Sequence, residues 1–166
     1  MRIRPNITST LTLMTALSVL PARAATQTVS QAAAPLIAIS RADQLEKQAA
    51  ALHDNLERYV EAARLYKQSA SLRSEADPRA VDALTMAAHL FHYANKISDA
   101  RRTMEQAAER ALAGGDVWRA SLANLEAALF AYKQGNWTQT ERLGRKALQL
   151  AESLGWDRVV ALLAHK

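Results

Sequence analysis

Apolar residues recur every three or four positions from residue 41 onward, the spacing that places them on one face of an α-helix. Glycine interrupts this pattern at 114–115, 135 and 155, where it is typical of helix ends. Asp77-Pro78 instead indicates a helix start, with an N-cap followed by proline at the first helical position. The pattern therefore predicts an all-α chain whose helices pack antiparallel to their neighbours, over 41–56, 59–75, 78–94, 97–112, 116–133, 137–153 and 156–165.

The segment 1–24 differs from the rest of the chain and is typical of a secretory signal. Arg2 and Arg4 precede a Thr-rich apolar stretch over 7–20, and the small-x-small triplet 22–24 follows as a cleavage site. The apolar stretch is shorter than the ~20 residues that a membrane-spanning helix needs. We predict cleavage after Ala24, export to the periplasm or the medium, and no stable membrane span in the mature chain. An uncleaved signal anchor is the alternative.

Residues 25–40 are rich in Gln, Thr, Ser and Ala, contain Pro35, and include one short apolar run. This composition predicts a flexible leader without an element of its own. Ser40, followed three positions later by Asp43, resembles a capping box at the start of the folded part. The predicted organisation is a signal peptide over 1–24, a leader over 25–40 and a helical domain over 41–166.

Composition narrows the class of protein further. With 166 residues, 49% of them hydrophobic and 22% charged, the chain fits one globular domain. Its 35 alanines favour helix, and the absence of cysteine excludes disulfides, thiolate metal sites and a cysteine nucleophile. The net charge of +5 includes three arginines from the signal segment, so the mature chain has 18 basic and 16 acidic side chains. This balance predicts no nucleic-acid partner.

The predicted helices repeat a pattern of small residues. Tyr59, Ile97 and Trp137 align when the chain is shifted onto itself by 38 and then by 40 positions. In this register three adjacent alanine pairs occupy one helical position, 49–50, 87–88 and 127–128. Small side chains let two helices approach closely, and the three bulky residues are expected to close the ends of the helix pairs. Trp137 is thus predicted to lie in the core, and the glycosylation sequon at 136–138 is interpreted as coincidental.

These residues resemble the tetratricopeptide-repeat (TPR) family, whose pattern combines a large apolar residue, a small pair and an aromatic. Leu84, Ala87-Ala88 and Phe91 fit that pattern in a first helix, and Ala62-x3-Tyr66 fits a second helix. The resemblance covers about positions 43–155, with a repeat longer than the ~34 residues usual in the family. It implies a right-handed α-solenoid of about three helix-turn-helix repeats plus a short C-terminal helix. An irregular α-helical bundle is the alternative.

In TPR proteins the first helices of successive repeats line a concave groove that binds a protein or peptide partner. Counting from the aligned small pairs, the resemblance assigns eleven residues to this wall, namely Lys47, Asp54, Asp82, Thr85, His89, His92, Leu122, Leu125, Leu129, Tyr132 and Lys133. The first two repeats contribute polar side chains, and the third contributes a leucine stripe. Because only two of these residues are basic, the carboxylate clamp of some chaperone-binding members is not matched.

The leucine stripe, Leu122, Leu125 and Leu129, has two interpretations that the sequence leaves open. It forms either an exposed peptide groove or a face buried under residues 156–166. That last segment is apolar and lacks the polar outer face with which solenoids end. Self-association through this C-terminal edge is therefore expected.

His89 and His92 lie three positions apart on one helix face and could both donate to a metal. Catalytic zinc sites need at least three protein ligands and structural sites need four, and no third ligand is close in sequence. No nucleophile elbow or phosphate-binding loop accompanies them. We predict a binding protein that is not an enzyme and uses no metal or cofactor. The alternative is a small exported helical enzyme or metal-binding protein centred on His89 and His92.

Overall fold

A computed structural model describes residues 22–155, with side chains from residue 34 onward, and every regular element in that range is helical. A 3₁₀ turn at Leu56–Arg58 accompanies six α-helices, α1 Ala22–Ala51, α2 Tyr59–Leu72, α3 Pro78–Tyr93, α4 Ile97–Ala113, α5 Val117–Lys133 and α6 Trp137–Ser153. The predicted all-α class is confirmed for these residues. The predicted signal segment, apart from its last three positions, and the predicted helix over 156–165 lie outside the described residues.

Side-chain caps explain why the later helices begin where the sequence predicts. The side chain of Asp77 accepts a hydrogen bond from the backbone N–H of Arg79 at 2.9 Å at the start of α3. Asp116 caps α5 and Asn136 caps α6 in the same way. Each cap satisfies a backbone donor that has no partner inside its helix.

The prediction that residues 25–40 form no element is wrong, because α1 begins at Ala22 and continues through Pro35. Proline removes one helical hydrogen bond, but alanine, the best helix former, occupies the three preceding positions. Ser40 accordingly lies inside α1 and not at a helix start. The helix also ends earlier than predicted, at Ala51. A 3₁₀ turn follows it, and the side chain of Asn55 caps this turn by accepting a hydrogen bond from the backbone N–H of Glu57 at 3.0 Å.

Alanine builds most of the core between the helices. Extensive contacts within residues 22–155 join each helix to the next one along the chain. Ala49, Ala87 and Ala127 are fully buried, as is Ala88, whereas Ala50 is exposed near the end of α1. The register of small residues therefore places them where neighbouring helices approach closely, with Ala50 as an exception.

The prediction that Trp137 lies in the core is wrong, because its side chain is 67% exposed. Its ring makes an edge-to-face contact with Tyr132, with centroids 5.3 Å apart. The aligned residues Tyr59 and Ile97 do pack partly buried against the core. Tyr59 begins α2 and Ile97 begins α4, and each of these helices lies between two others. Trp137 begins α6, which is the last helix among the described residues and has a neighbouring helix on one side only.

One turn geometry recurs after four successive helices. Asn95, Gly115, Gly135 and Gly155 are evenly spaced along the chain and have φ angles of 58°, 77°, 68° and 77°. The backbone N–H of each residue donates to the carbonyl three positions earlier, at distances between 2.8 and 3.1 Å. Left-handed residues of this kind end helices, and glycine adopts the conformation without strain. A helix begins two positions after each of the first three.

A buried arginine joins α1 to the start of α3, a feature that the sequence reasoning missed. The side chain of Arg73, just after α2, is 1% exposed and contacts carboxylates of Asp43, Glu46 and Asp77. Arg79 contacts Asp43 and Glu46 at 3.0 Å from the exposed side. The hydrogen bond from Arg73 is the largest cause that lowers the pKa of Asp43 below its usual value. The long helix α1 is thus fixed to the rest of the fold by charge pairing as well as by alanine packing.

Candidate partner-binding face

Helices α3 and α5 lie side by side and are connected by a row of three polar contacts. From one end to the other these are Arg119 Nη1 to Asp82 Oδ1 at 3.0 Å, His89 Nε2 to Glu126 Oε2 at 3.4 Å and Lys133 Nζ to His92 Nε2 at 2.7 Å. Residue numbers rise in the same direction on both helices, so α3 and α5 run parallel. The surface along this row is called the α3–α5 face below.

Two clefts open along the α3–α5 face and share Glu126. The N-terminal cleft has a volume of about 360 Å³, and its walls are Val81, Asp82, Thr85, Met104, Trp118, Arg119, Leu122, Ala123 and Glu126. The C-terminal cleft has a volume of about 520 Å³, and its walls are His89, His92, Tyr93, Glu126, Leu129, Phe130, Tyr132 and Lys133. Volumes of this size are within the range of small-molecule and side-chain binding sites.

The C-terminal cleft combines exposed apolar walls with a cation at its edge. Tyr93, Leu129 and Tyr132 are all more than half exposed, although large apolar side chains usually lie inside. Lys133 is also exposed, beside Tyr132. A ligand that buries an apolar group among these rings could therefore also place an anionic group near the Lys133 ammonium.

A row of ring contacts extends from this cleft toward the first helix pair. The centroid distances along the row are 6.2 Å for His53 to Tyr59, 6.0 Å for Tyr59 to Tyr93, 5.6 Å for Tyr93 to His92 and 5.2 Å for His92 to Phe130. Ring pairs at such distances attract one another in tilted or offset geometries. The row links α2, α3 and α5 at the end of the fold where the C-terminal cleft opens.

The surroundings of His92 favour its neutral imidazole. Partial burial is the largest cause that lowers its pKa below the usual 6.5, followed by the charges of Lys133 and His89. A neutral ring can accept the hydrogen bond that Lys133 donates to Nε2, whereas a protonated ring cannot. The fixed positive charge at the edge of the cleft therefore belongs to Lys133.

Eight of the eleven residues that the resemblance assigned to the groove line the two clefts. They are Asp82, Thr85 and Leu122 in the N-terminal cleft and His89, His92, Leu129, Tyr132 and Lys133 in the C-terminal one. Leu125 is exposed but lines neither cleft. Lys47 on α1 and Asp54 in the connection to α2 are exposed and belong to neither cleft.

Sequence reasoning missed three residues of the C-terminal cleft, Tyr93, Glu126 and Phe130. Helical spacing carried the signal for two of them, because Tyr93 follows His89 by four positions and Glu126 follows Leu122 by four. Phe130 follows Glu126 by another four positions, but its ring is mostly buried and reaches the cleft by stacking on His92.

The two histidines do not complete a metal-binding set in the described part of the chain. No group of three or more His, Asp or Glu side chains between residues 34 and 155 could hold a metal ion. Nε2 of His92 already accepts a hydrogen bond from Lys133. The positive charge of Lys133 would also repel a metal cation at that nitrogen. Nε2 of His89 lies 3.4 Å from Glu126 Oε2.

None of the described helices combines the length and the apolar character needed to cross a bilayer. Comparison of the chain with protein-family models, with curated proteins and with solved structures gives no match. The resemblance to the TPR family therefore depends on the residues quoted above alone.

Proposed function

We propose that the protein is an exported, TPR-like helical-repeat scaffold that binds a segment of a partner protein or peptide on the α3–α5 face. The observation that carries the proposal is the C-terminal cleft, in which Tyr93, Leu129 and Tyr132 remain exposed around a space of about 520 Å³. Contiguous exposed apolar side chains with a polar border are typical of interaction sites. The proposed activity is binding and involves no catalysis, cofactor, metal or nucleic acid.

The repeat architecture belongs to this proposal. Three helix pairs, α1–α2, α3–α4 and α5–α6, would form a right-handed solenoid in which the first helices share one face. Two observations support it: contacts join consecutive helices, and left-handed turn residues recur at an even spacing along the chain. Side-chain contacts between successive pairs span similar separations, as in Asp82 to Arg119 and Glu105 to Arg142.

The chemistry of the cleft favours one kind of ligand. A bulky apolar side chain of the partner would lie among Tyr93, Leu129 and Tyr132, and an acidic side chain next to it would lie near Lys133. The buried area would be a few hundred Å², so the contact is expected to be reversible unless the partner also uses the N-terminal cleft.

Export is proposed from residues 1–24 alone. The charged start, the short apolar stretch and the small-x-small triplet are those of a cleaved signal. N-terminal sequencing of the protein recovered from outside the cytoplasm tests this part, and the expected first residue is Ala25. A chain that keeps residues 1–24 in the membrane fraction would contradict it.

Binding is tested with a displayed library of random linear peptides selected on the immobilised chain. Peptides with a bulky apolar residue beside an acidic one are expected to be enriched. The double variant Leu129→Ser with Tyr132→Ser should lower the affinity for an enriched synthetic peptide by about ten-fold or more. Its melting temperature should change little, because both side chains are exposed.

The matched control is Leu36→Ser, since Leu36 is an exposed leucine on α1, outside both clefts. It should leave peptide affinity unchanged. Lys133→Met should lower the affinity for peptides with an acidic residue more than the affinity for the same peptides with Asn or Gln at that position. Equal binding by the wild-type chain and the Leu129/Tyr132 double variant would contradict the proposed site.

A further inference from the structure

The two clefts on the α3–α5 face repeat each other at a spacing of seven residues. Four walls of the N-terminal cleft have counterparts in the C-terminal cleft, seven positions later on the same helix. These pairs are Asp82 and His89, Thr85 and His92, Leu122 and Leu129, and Ala123 and Phe130. Seven residues are close to two turns of an α-helix, so the members of each pair lie on the same side of their helix. The face therefore presents two successive sites about 10.5 Å apart along α5.

This spacing selects the conformation of a partner segment that fills both clefts. In an α-helix, residues seven positions apart share a face and lie about 10.5 Å apart, so a helix aligned with α5 matches the clefts. An extended strand places residues of one face about 6.6 or about 13 Å apart, at separations of two or four positions. A polyproline helix returns to the same face after three residues and about 9.3 Å, which is about 1 Å short. The α-helix is the best match.

The charge of Glu126 indicates what the partner carries between its two apolar residues. Glu126 is a wall of both clefts, and its Oε2 atom is buried without a hydrogen-bond donor among the described residues. Arg119, also on α5, is already paired with Asp82 at 3.0 Å and with Asp116 at 3.4 Å. A basic side chain midway between the two apolar residues of the partner would therefore meet the carboxylate of Glu126.

Lys133 indicates the charge at the other end and the direction of the partner. It lies one helical turn beyond Leu129, at the edge of the C-terminal cleft. An acidic residue one turn outside the apolar residue in this cleft would meet the Lys133 ammonium. In a partner helix antiparallel to α5 this acidic residue lies in the first turn, where the helix dipole favours a negative charge. The antiparallel direction is therefore preferred.

We infer that the α3–α5 face binds an amphipathic α-helix of a partner protein, antiparallel to α5, whose apolar residues lie seven positions apart. A basic residue lies between them, and an acidic residue precedes the first by one turn. The inference rests on the proposed function, because it specifies which kind of segment binds at that face. Along the partner, the first apolar residue enters the C-terminal cleft beside Leu129 and the second enters the N-terminal cleft beside Leu122. Helices that place spaced apolar residues in a groove are a general mode of recognition.

The probe is a synthetic alanine-rich peptide of about 18 residues, long enough to form a helix when bound. It carries glutamate, leucine, arginine and leucine at successive intervals of four, four and three positions, and is called the matched peptide. The control peptide has the same composition, with its second leucine moved two positions onward to the opposite side of the helix. Fluorescence anisotropy with the full chain should show about ten-fold or tighter binding of the matched peptide. Circular dichroism should show that it becomes more helical when bound.

A third peptide and three variants of the chain test the helix and its contacts separately. Proline next to the arginine should lower the affinity of the matched peptide by about ten-fold, because it breaks the helix. Leu129→Ser should have a similar effect, whereas Leu148→Ser should have none, since Leu148 is equally exposed, at 53%, but lies on α6 outside both clefts. Lys133→Glu should weaken the matched peptide and restore binding of a version with lysine in place of its glutamate.

Equal affinities for the matched and control peptides would overturn the inference. Stronger binding of the proline peptide would also overturn it and would identify an extended segment as the ligand. Failure of the proposed function gives a different result. If the displayed library yields peptides that require Leu129 and Tyr132 but lack the seven-residue spacing, the proposed function stands and the helical inference fails. If neither the library nor the matched peptide yields binding, both fail.

Discussion

The ammonium group of Lys133 donates a hydrogen bond to Nε2 of His92 across 2.7 Å, and this contact connects the C-terminal ends of α5 and α3. The imidazole must be neutral to accept it. Partial burial and the charges of Lys133 and His89 lower the pKa of His92, in that order. We therefore expect both the stability of the fold and the shape of the C-terminal cleft to depend on pH.

We expect the free energy of unfolding to decrease as the pH falls below about 6.5. The unfolded chain protonates His92 at a higher pH than the folded chain does, so this contribution is fully present above the unfolded-state pKa and is lost as the pH falls toward the folded-state pKa. Melting temperatures between pH 7.5 and pH 5 measure the effect. His92→Gln should reduce the slope, and an unchanged slope would contradict the assignment to His92.

Replacing Arg73 with Met is expected to lower the free energy of unfolding by about 2 kcal/mol, because Asp43 and Glu46 lose a buried partner while Arg79 still contacts both. Urea unfolding measures the change. Arg102→Met is the control, since its ion pair with Asp99 is exposed and should contribute less than about 1 kcal/mol. Equal losses in the two variants would mean that the buried network does not stabilise the fold.

Replacing Trp137 with Ala is expected to cost less than about 1 kcal/mol, because the indole is mostly exposed. Leu143→Ala in the same helix should cost about 2 to 5 kcal/mol, since Leu143 is almost completely buried and its loss leaves a cavity. Thermal and urea unfolding of the two variants give the comparison. A larger loss for Trp137→Ala would indicate that the indole is covered in solution.

Replacing Ala88 with Leu is expected to cost about 1 to 3 kcal/mol, because three extra carbons do not fit where α3 and its neighbours approach closely. Ala50 occupies the same register position on α1 but is exposed, so Ala50→Leu should change stability by less than about 0.5 kcal/mol. The difference between the two variants in urea unfolding tests the register. Similar effects in both would contradict the close packing at Ala88.

The predicted positions of α3 to α6 lie close to those observed because each of these helices begins or ends at a local signal. Asp77-Pro78, Asp116 and Asn136 supply caps, and the glycines at 115, 135 and 155 adopt the left-handed conformation. Such signals act through residues a few positions apart, so they are readable from the sequence. The extent of α1 was not predicted because Pro35 and the polar residues over 26–31 oppose a helix locally, whereas alanine's helix propensity favours one.

The amino-acid sequence by itself determined the helical class, most helix boundaries and the small residues at the helix contacts, since these depend on local propensity and a fixed period. The tertiary structure decided which side chains meet. Burial of Arg73 among three carboxylates, exposure of Trp137 and pairing of Lys133 with His92 all join residues whose distance depends on how the helices are arranged. A single helix specifies which residues share a face, but only its packed neighbours determine whether that face is covered, charged or open to a partner.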